Sequence, residues 1–116
     1  MKQLVVGGTT FLTGDDAADT VIDYTAVLAK GASADTVELR ARTVDGRDVM
    51  VYFTLNSAVA VLAMTTPEKG PEPDNQSTVT RMRQAIHRLD PRIESYFWND
   101  RGDSDAGEFL DDTQIV

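Results

Sequence analysis

The most regular pattern of hydrophobic and polar positions in the chain runs from Thr36 to Leu55. Both halves of this stretch carry apolar or small residues at every second position: Val37, Leu39, Ala41, and then Val49, Val51, Phe53, Leu55. A period of two is typical of half-buried strands, and Asp45-Gly46 between the halves favours a turn. The pattern therefore predicts a β-hairpin.

Side-chain parity fixes the register of this hairpin. A two-residue turn would place Leu39 opposite Tyr52, so the two apolar sets would point to opposite faces of the sheet. A three-residue loop, Val44 to Gly46, instead places Leu39 opposite Val51 and keeps all apolar residues on one face. We expect the longer loop, with its glycine in the left-handed conformation.

The N-terminal residues predict a second hairpin followed by a helix. Gly7-Gly8 separates two short apolar runs, and a tight turn there sets Leu4 opposite Phe11. Thr13 and Asp16 have the spacing of a capping box, and Gly31 marks the helix end.

Helical spacing within this segment predicts which side chains are buried. The apolar stripe consists of Ala18, Val21, Ile22, Thr25, Leu28 and Ala29, and the residues placed opposite to it are Asp19, Asp23 and Lys30.

Residues Val59 to Met64 are apolar on both parities. Such a run is either an interior strand covered on both faces or a short buried helix, and its length favours the strand. Two helices leave one face of that strand without a partner in the chain, which indicates a homodimer with Val59 to Met64 near the interface.

The remaining segments complete an α+β domain. Residues 65–76 predict a surface loop, Ser77 to Leu89 a second helix with Val79, Met82, Ala85, Ile86 and Leu89 buried, and residues 92–98 a last strand. The expected fold is two-layered, with a mostly antiparallel sheet, two helices and the order β-β-α-β-β-β-α-β. Residues 1–98 form this single domain, and residues 99–116 form an acidic, flexible tail.

Composition excludes several classes of function. The 116 residues include no cysteine and one histidine, so disulfides, thiolate metal sites and multi-histidine metal sites are absent. We expect no cofactor and no metal. A net charge of −8 and a pI near 4.4 oppose binding to nucleic acid or anionic lipid over most of the surface. No apolar run is long enough for a signal peptide or a membrane span, which favours a cytoplasmic protein.

The charge is unevenly distributed along the chain. Residues 99–116 hold six acidic residues and one arginine, whereas the second predicted helix holds three arginines and no acid. The helix is a solvated face, a docking site for the tail with an apolar anchor, or a nucleic-acid contact, in that order of preference. The candidate partner-binding residues are Arg81, Arg83, His87 and Arg88 on the helix and Phe109 and Leu110 in the tail.

The sequence Leu4-Val5-Val6-Gly7-Gly8 resembles the opening strand and glycine turn of extended short-chain dehydrogenase-like proteins. That resemblance implies a nucleotide-binding enzyme that uses Gly7, Gly8 and Gly14 to approach a pyrophosphate. Asp15 and Asp16 argue against it, because they would repel a phosphate at the helix N-terminus.

A second resemblance extends over residues 1–95. The shared features are Leu4, Gly7-Gly8, Asp15-Asp16, the helix ending at Gly31, Asp45-Gly46, Glu72-Pro73 and the second helix. In this arrangement the chain resembles a set of small, uncharacterised actinobacterial proteins. The resemblance implies the same fold and adds no activity.

These observations favour a non-enzymatic, homodimeric protein-interaction module with an unidentified protein partner. The alternatives are a nucleotide-binding enzyme using the Gly7-Gly8 turn and a nucleic-acid binder using the Ser77 to Leu89 helix.

Overall fold

The computed structural model describes residues 1–90, in which five strands and two helices follow the order β-β-α-β-β-β-α. The strands are β1 (Lys2–Val6), β2 (Thr9–Thr13), β3 (Asp35–Arg42), β4 (Asp48–Leu55) and β5 (Val61–Thr65), and the helices are α1 (Asp15–Lys30) and α2 (Gln76–Leu89). The predicted strand at 92–98 and the predicted tail at 99–116 lie outside the described residues.

The strands form one antiparallel sheet in the order β4-β3-β2-β1-β5. The helices pack against each other and against β1, β3 and β5. Leu4, Val37, Leu39 and Leu55 are fully buried beneath them. The α+β class, the antiparallel sheet and the two helices are confirmed.

The central hairpin has the register that parity predicts. Leu39 lies opposite Val51, and Ala41 lies opposite Val49. The loop closes with hydrogen bonds from the backbone N–H of Thr43 to Arg47 O (2.8 Å) and from that of Gly46 to Thr43 O (2.9 Å). Gly46 has a φ of +95°, which glycine adopts without a steric penalty.

The first hairpin is also confirmed, with Leu4 opposite Phe11. Gly7 (φ +56°) and Gly8 (φ +91°) both have positive φ, as expected for a two-residue turn whose twist matches its strands. These glycines have a structural reason to be there.

The sheet is nearly divided between β2 and β3, which share one paired position, Leu12 with Arg42. Beyond it, the side chain of Asn75 takes the place of a strand. The backbone N–H of Arg40 donates to Asn75 Oδ1 (2.8 Å), and Asn75 Nδ2 donates back to Arg40 O (2.9 Å). Thr13 Oγ1 accepts from Asn75 Nδ2 and donates to Arg40 O, both at 3.2 Å. The buried amide of Asn75 thus bonds to the backbone N–H and C=O of Arg40, which have no strand to pair with on this side.

Helix α2 continues to cover the same edge of β3 beyond Asn75. Thr78 Oγ1 donates to Glu38 O (3.2 Å), and Arg81 Nη2 donates to Thr36 O (3.4 Å). Asn75, which precedes α2, and Thr78 and Arg81 within it are three positions apart, while their targets on β3 are two positions apart. Side chains at i, i+3 and i+6 share one face of a helix, so this face of α2 follows the strand edge.

The predicted capping box at Thr13 is wrong. Gly14 is the N-cap residue of α1 and makes no side-chain capping bond. Thr13 is the last residue of β2, and its hydroxyl is directed towards β3 and Asn75. The Thr13 side chain therefore makes a long-range polar contact instead of the local helix cap that the sequence pattern predicts.

The buried face of α1 also differs from the predicted stripe. Asp23, expected on the solvent side, is buried, and Ala29, expected inside, is exposed. Tyr24 and Val27 are buried as well. The reason is that α1 packs against both the sheet and α2, so its buried surface is wider than one stripe.

The prediction of an interior strand at Val59 to Met64 is wrong in position. The segment does form a strand, β5, but β5 lies at an edge of the sheet. Its inward residues Val61 and Ala63 pack against the core, while Leu62 and Met64 are exposed on the other face. Leu89, predicted as buried in α2, is also exposed.

The end of α1 generates a first testable prediction. Ala32 follows the helix with a φ of +53°, and its N–H and that of Ser33 donate to Ala29 O and Leu28 O. A left-handed residue at this position favours glycine. We expect Ala32→Gly to raise the free energy of unfolding by about 0.5–1 kcal/mol in urea denaturation. The control, Ala26→Gly on the exposed face of α1, should lower it by about 1 kcal/mol. A destabilised Ala32→Gly variant would contradict this description of the helix end.

The Asn75 junction generates a second prediction. Asn75→Ala leaves the backbone N–H of Arg40 without its partner and leaves Arg40 O with the Thr13 hydroxyl alone, so we expect it to lower the free energy of unfolding by about 1–3 kcal/mol. The control is Asn56→Ala, which removes one bond, from Ala58 N–H to Asn56 Oδ1, at an exposed turn and should change the free energy by less than about 1 kcal/mol. Equal effects in equilibrium unfolding would show that the junction has no special role.

Candidate functional site

The outer face of the sheet, opposite the helices, carries most of the exposed large apolar side chains of residues 1–90. Four of them lie on its two edge strands: Met50 (41% exposed) and Tyr52 (68%) on β4, and Leu62 (52%) and Met64 (41%) on β5. Leu62 pairs with Val5, and Met50 pairs with Arg40. Since the buried residues of these strands occupy the alternate positions, Leu62 and Met50 point to the face opposite the core. Exposed apolar groups concentrated on one face indicate an interaction surface.

The outer face of the hairpin carries charges of both signs. Arg40 and Arg42 lie on β3, and Glu38 and Asp48 lie on the same face. Asp48 Oδ1 lies 3.4 Å from Arg42 Nε, and Glu38 Oε2 accepts a hydrogen bond from the Tyr52 hydroxyl at 3.2 Å. On the strands the two arginines thus match the two acids, whereas the loop before α2 adds the acidic residues Glu72 and Asp74 beside the arginines.

The two edges of the sheet differ in length and in composition. Strand β4 has eight residues and β5 has five. Among residues 1–90, no strand pairs with the outer edge of either. The inward residues Val49, Val51 and Phe53 of β4 are only half-buried, whereas their partners on β3 are fully buried or nearly so.

The structure places the predicted basic residues of α2 on two different sides of the helix. Arg81 faces β3, where its Nη1 lies 3.2 Å from Asp35 Oδ2 and its Nη2 donates to Thr36 O. Arg83 faces the start of α1, with Nη2 3.8 Å from Asp16 Oδ1. Two of the three arginines thus interact with acidic side chains of the same chain, which reduces the charge that they offer to a phosphate backbone.

Arg83, His87 and Arg88 do come together along one shallow groove of α2, which Thr80 and Gln84 complete. His87 and Arg88 are exposed in the last turn of the helix. The remaining candidates, Phe109 and Leu110, lie outside the described residues. The proposed docking of the tail on this helix therefore stays a prediction.

A polar cluster joins α1, β3 and α2. The Tyr24 hydroxyl donates to Asp35 Oδ2 (2.5 Å), which Arg81 also contacts. Burial, together with the hydrogen bond to Asp35, raises the pKa of Tyr24 to about 12. The hydrogen bond from Tyr24 holds the pKa of Asp35 below its usual value, although partial desolvation opposes this effect. The cluster fixes the two helices relative to the hairpin.

The glycine turn does not lie where a phosphate-binding loop would. Gly7 and Gly8 join β1 to β2, and the whole of β2 separates them from the N-terminus of α1. Five residues of strand span about 16 Å, so the turn and the helix N-terminus cannot contact the same phosphate. Gly14 does lie at that N-terminus, where a Cβ atom would come within 2.7 Å of Glu72 Oε1. The nearest group is thus an acidic side chain, which would repel a phosphate at this position.

Two further features of residues 1–90 bear on function. No group of three or more histidine, cysteine, aspartate or glutamate side chains in this part of the chain is arranged to hold a metal ion. Neither of its two helices has the length and apolarity that a bilayer span requires.

Comparisons with protein-family models, curated proteins and solved structures find no match to this chain. The resemblance to small actinobacterial proteins therefore stays a prediction.

Sequence reasoning overlooked the outer residues of β4. Met50 and Tyr52 occupy positions where the alternation of the hairpin calls for polar side chains. That departure from the pattern was the available signal. It had no obvious meaning until the sheet order showed that β4 lies at an edge.

The polar cluster generates a third prediction. Because the folded state raises the pKa of Tyr24, its hydrogen bond stabilises the protein fully below pH of about 10 and loses this effect as the pH rises towards about 12. We expect Tyr24→Phe to lower the free energy of unfolding by about 1–2 kcal/mol at neutral pH. The difference from the wild type should shrink between pH 10 and 12 in urea denaturation. A difference that stays constant to pH 12 would contradict the raised pKa, and Tyr52→Phe on the exposed face is the matched control.

Proposed function

We propose that the protein is a non-enzymatic interaction module that associates with a second copy of itself through its β-sheet. The observation that carries this proposal is the exposure of apolar side chains at both edges of the sheet. Both helices pack on the inner face, while Met50, Tyr52, Leu62 and Met64 are exposed on the outer face of the two edge strands. Exposed strand edges and apolar side chains together form a surface that readily pairs with another chain.

The charge distribution supports self-association at the sheet. A net charge of −8 makes two copies repel each other in most orientations. Strand β4 is an exception, because its one charged residue, Asp48, pairs with Arg42 of the same chain. Contact at this strand brings together weakly charged parts of two copies.

The polar residues with shifted pKa values support a structural role over a catalytic one. Tyr24 and Asp35 bond to each other, and Arg81 joins them. Tyr24 is buried, and Arg81 also bonds the backbone of β3. Tyr24 and Asp35 thus hold elements of the fold together. We propose that the same polar contacts keep the sheet rigid for binding.

Sedimentation velocity over a range of protein concentrations tests the proposal. We expect the average mass to rise from 12.7 kDa towards twice that value as the concentration reaches tens of micromolar. A mass that remains at that of one chain across the range would overturn the proposal.

Calorimetric titration with adenine and nicotinamide nucleotides tests the alternative that the protein is a nucleotide-binding enzyme. We expect no heat of binding, because the Gly7-Gly8 turn is remote from the N-terminus of α1. Saturable heat that is lost on replacing Gly14 with alanine would support a nucleotide-binding enzyme instead.

A further inference from the structure

The hydrogen-bond pattern of the hairpin shows which backbone groups of β4 point away from the sheet. The bond from Thr43 N–H to Arg47 O makes the odd-numbered positions the hydrogen-bonded pairs of β3 and β4. The even-numbered residues of β4, Asp48, Met50, Tyr52 and Thr54, therefore direct their N–H and C=O groups outwards. No strand among residues 1–90 pairs with that edge.

At the opposite edge of the same hairpin, side chains form hydrogen bonds with the backbone groups that point away from the hairpin. The even-numbered residues of β3 direct their backbone groups towards Asn75, Thr78 and Arg81, which bond to them. One edge of the hairpin is thus covered by side chains of α2 and of the residue before it, whereas nothing within residues 1–90 pairs with the eight residues of the other edge. An uncovered edge of this length is a template for another strand.

The inner face of β4 also lacks part of its cover. The side chains of Val49, Val51 and Phe53 pack against the core but remain half-buried, and the rings of Phe11 and Phe53 lie 5.9 Å apart between centroids. The helices make their main contacts with β1, β3 and β5. A strand added beyond β4 would cover the exposed sides of these three residues and remove apolar area from water.

A second copy of β4 fits this edge best in one register. A two-fold axis perpendicular to the sheet pairs like parities, and an axis at Val51 or at Tyr52 aligns seven residues of β4, 48–54 or 49–55. The axis at Val51 is preferred because it pairs all four residues whose backbone groups point outwards, whereas the axis at Tyr52 pairs three of them. Val51 then lies opposite Val51 of the partner subunit, Val49 opposite the partner's Phe53, Met50 opposite the partner's Tyr52, and Asp48 opposite the partner's Thr54. The outward backbone groups of each strand meet those of the other in this register.

This register opposes no like charges. Asp48 is the only charged residue of β4, it faces a threonine, and it already pairs with Arg42 of its own chain. The Met50 thioether meets the tyrosine ring, a favourable contact of sulfur with an aromatic group. By comparison, a two-fold pairing at β5 aligns at most five residues.

We infer that two copies of this chain pair antiparallel through β4, with Val51 on the two-fold axis, so that their two five-stranded sheets become one continuous sheet. The inference rests on the proposed function and adds the surface and the register. One eight-residue strand buries less than the roughly 800 Å² per partner of a standard interface. We therefore expect a reversible dimer with a dissociation constant in the micromolar range.

Disulfide trapping in the full-length chain tests the register, since the sequence has no cysteine of its own. Val51 pairs with itself at a position without backbone hydrogen bonds, where Cα atoms lie about 4.5 Å apart, within the range that a disulfide spans. We expect Val51→Cys to form a covalent dimer rapidly under mild oxidation. Tyr52→Cys, whose two copies would lie more than about 7 Å apart, should not, and neither should Leu62→Cys on β5.

Charged substitutions provide a test that does not depend on Val51→Cys folding normally. Met50 and Tyr52 are exposed, so Met50→Lys with Tyr52→Lys should preserve the fold and weaken the dimer at least tenfold in sedimentation. Ala26→Lys with Ala29→Lys, on the exposed side of α1, adds the same two charges away from the sheet, is the matched control and should leave dimerisation unchanged.

The outcomes separate the register from the function. A wild-type protein that dimerises while Leu62→Cys, and not Val51→Cys, becomes cross-linked would overturn the β4 register and leave the proposed module intact. A monomeric wild type would overturn both. A monomer whose Met50 and Tyr52 amides are protected from hydrogen exchange would show that another segment of the same chain occupies the edge, which also overturns the inference.

Discussion

The side-chain amide of Asn75 takes the place of a missing strand at the centre of the sheet. Strand β2 leaves β3 after one paired position, so the backbone N–H and C=O of Arg40 have no strand partner on that side. An amide can donate and accept at once, as a backbone peptide does, so one asparagine satisfies both groups. Because Asn75 directly precedes α2, the same contact determines where that helix begins.

Much of the remaining architecture follows from this contact. With its start fixed at β3, α2 places Thr78 and Arg81 along the strand edge, and its apolar face meets α1 over the core. Arg81 completes a cluster with Asp35 and Tyr24 that links three elements. Covering β3 with a helix face in turn leaves β4 as the outermost strand. Within the described part of the chain, the unpaired edge of β4 is thus a consequence of how the central gap is filled.

The parts of the fold that the sequence predicts are those that local geometry decides. The register of the central hairpin follows from a period of two and a glycine that adopts positive φ, and both are properties of neighbouring residues. The first hairpin is predictable for the same reason. Errors appear where distant segments meet. The Thr13 hydroxyl bonds to β3 instead of capping α1, and the apolar run at Val59 to Met64 lies at an edge because the sheet order is set by long-range pairing.

In the candidate interaction surface, too, the residue types are predictable from the sequence, whereas their surroundings depend on contacts between distant segments. The arginines of α2 are visible in the sequence, but only the fold shows that Asp35 and Asp16 lie beside two of them. Met50 and Tyr52 are visible as apolar residues at polar positions, but their meaning depends on β4 having no outer neighbour among residues 1–90. Parity identifies which residues share a face, whereas the order of strands determines which face and which edge are exposed.

Hydrogen exchange at the backbone amide of Arg40, followed by nuclear magnetic resonance, tests the central claim most directly. This amide points away from β4, so within residues 1–90 its protection depends on Asn75. If the side chain replaces a strand, the Arg40 amide will exchange as slowly as those of Leu39 and Ala41, whose bonds lie within the hairpin ladder. Exchange at the rate of an unstructured peptide would contradict the account.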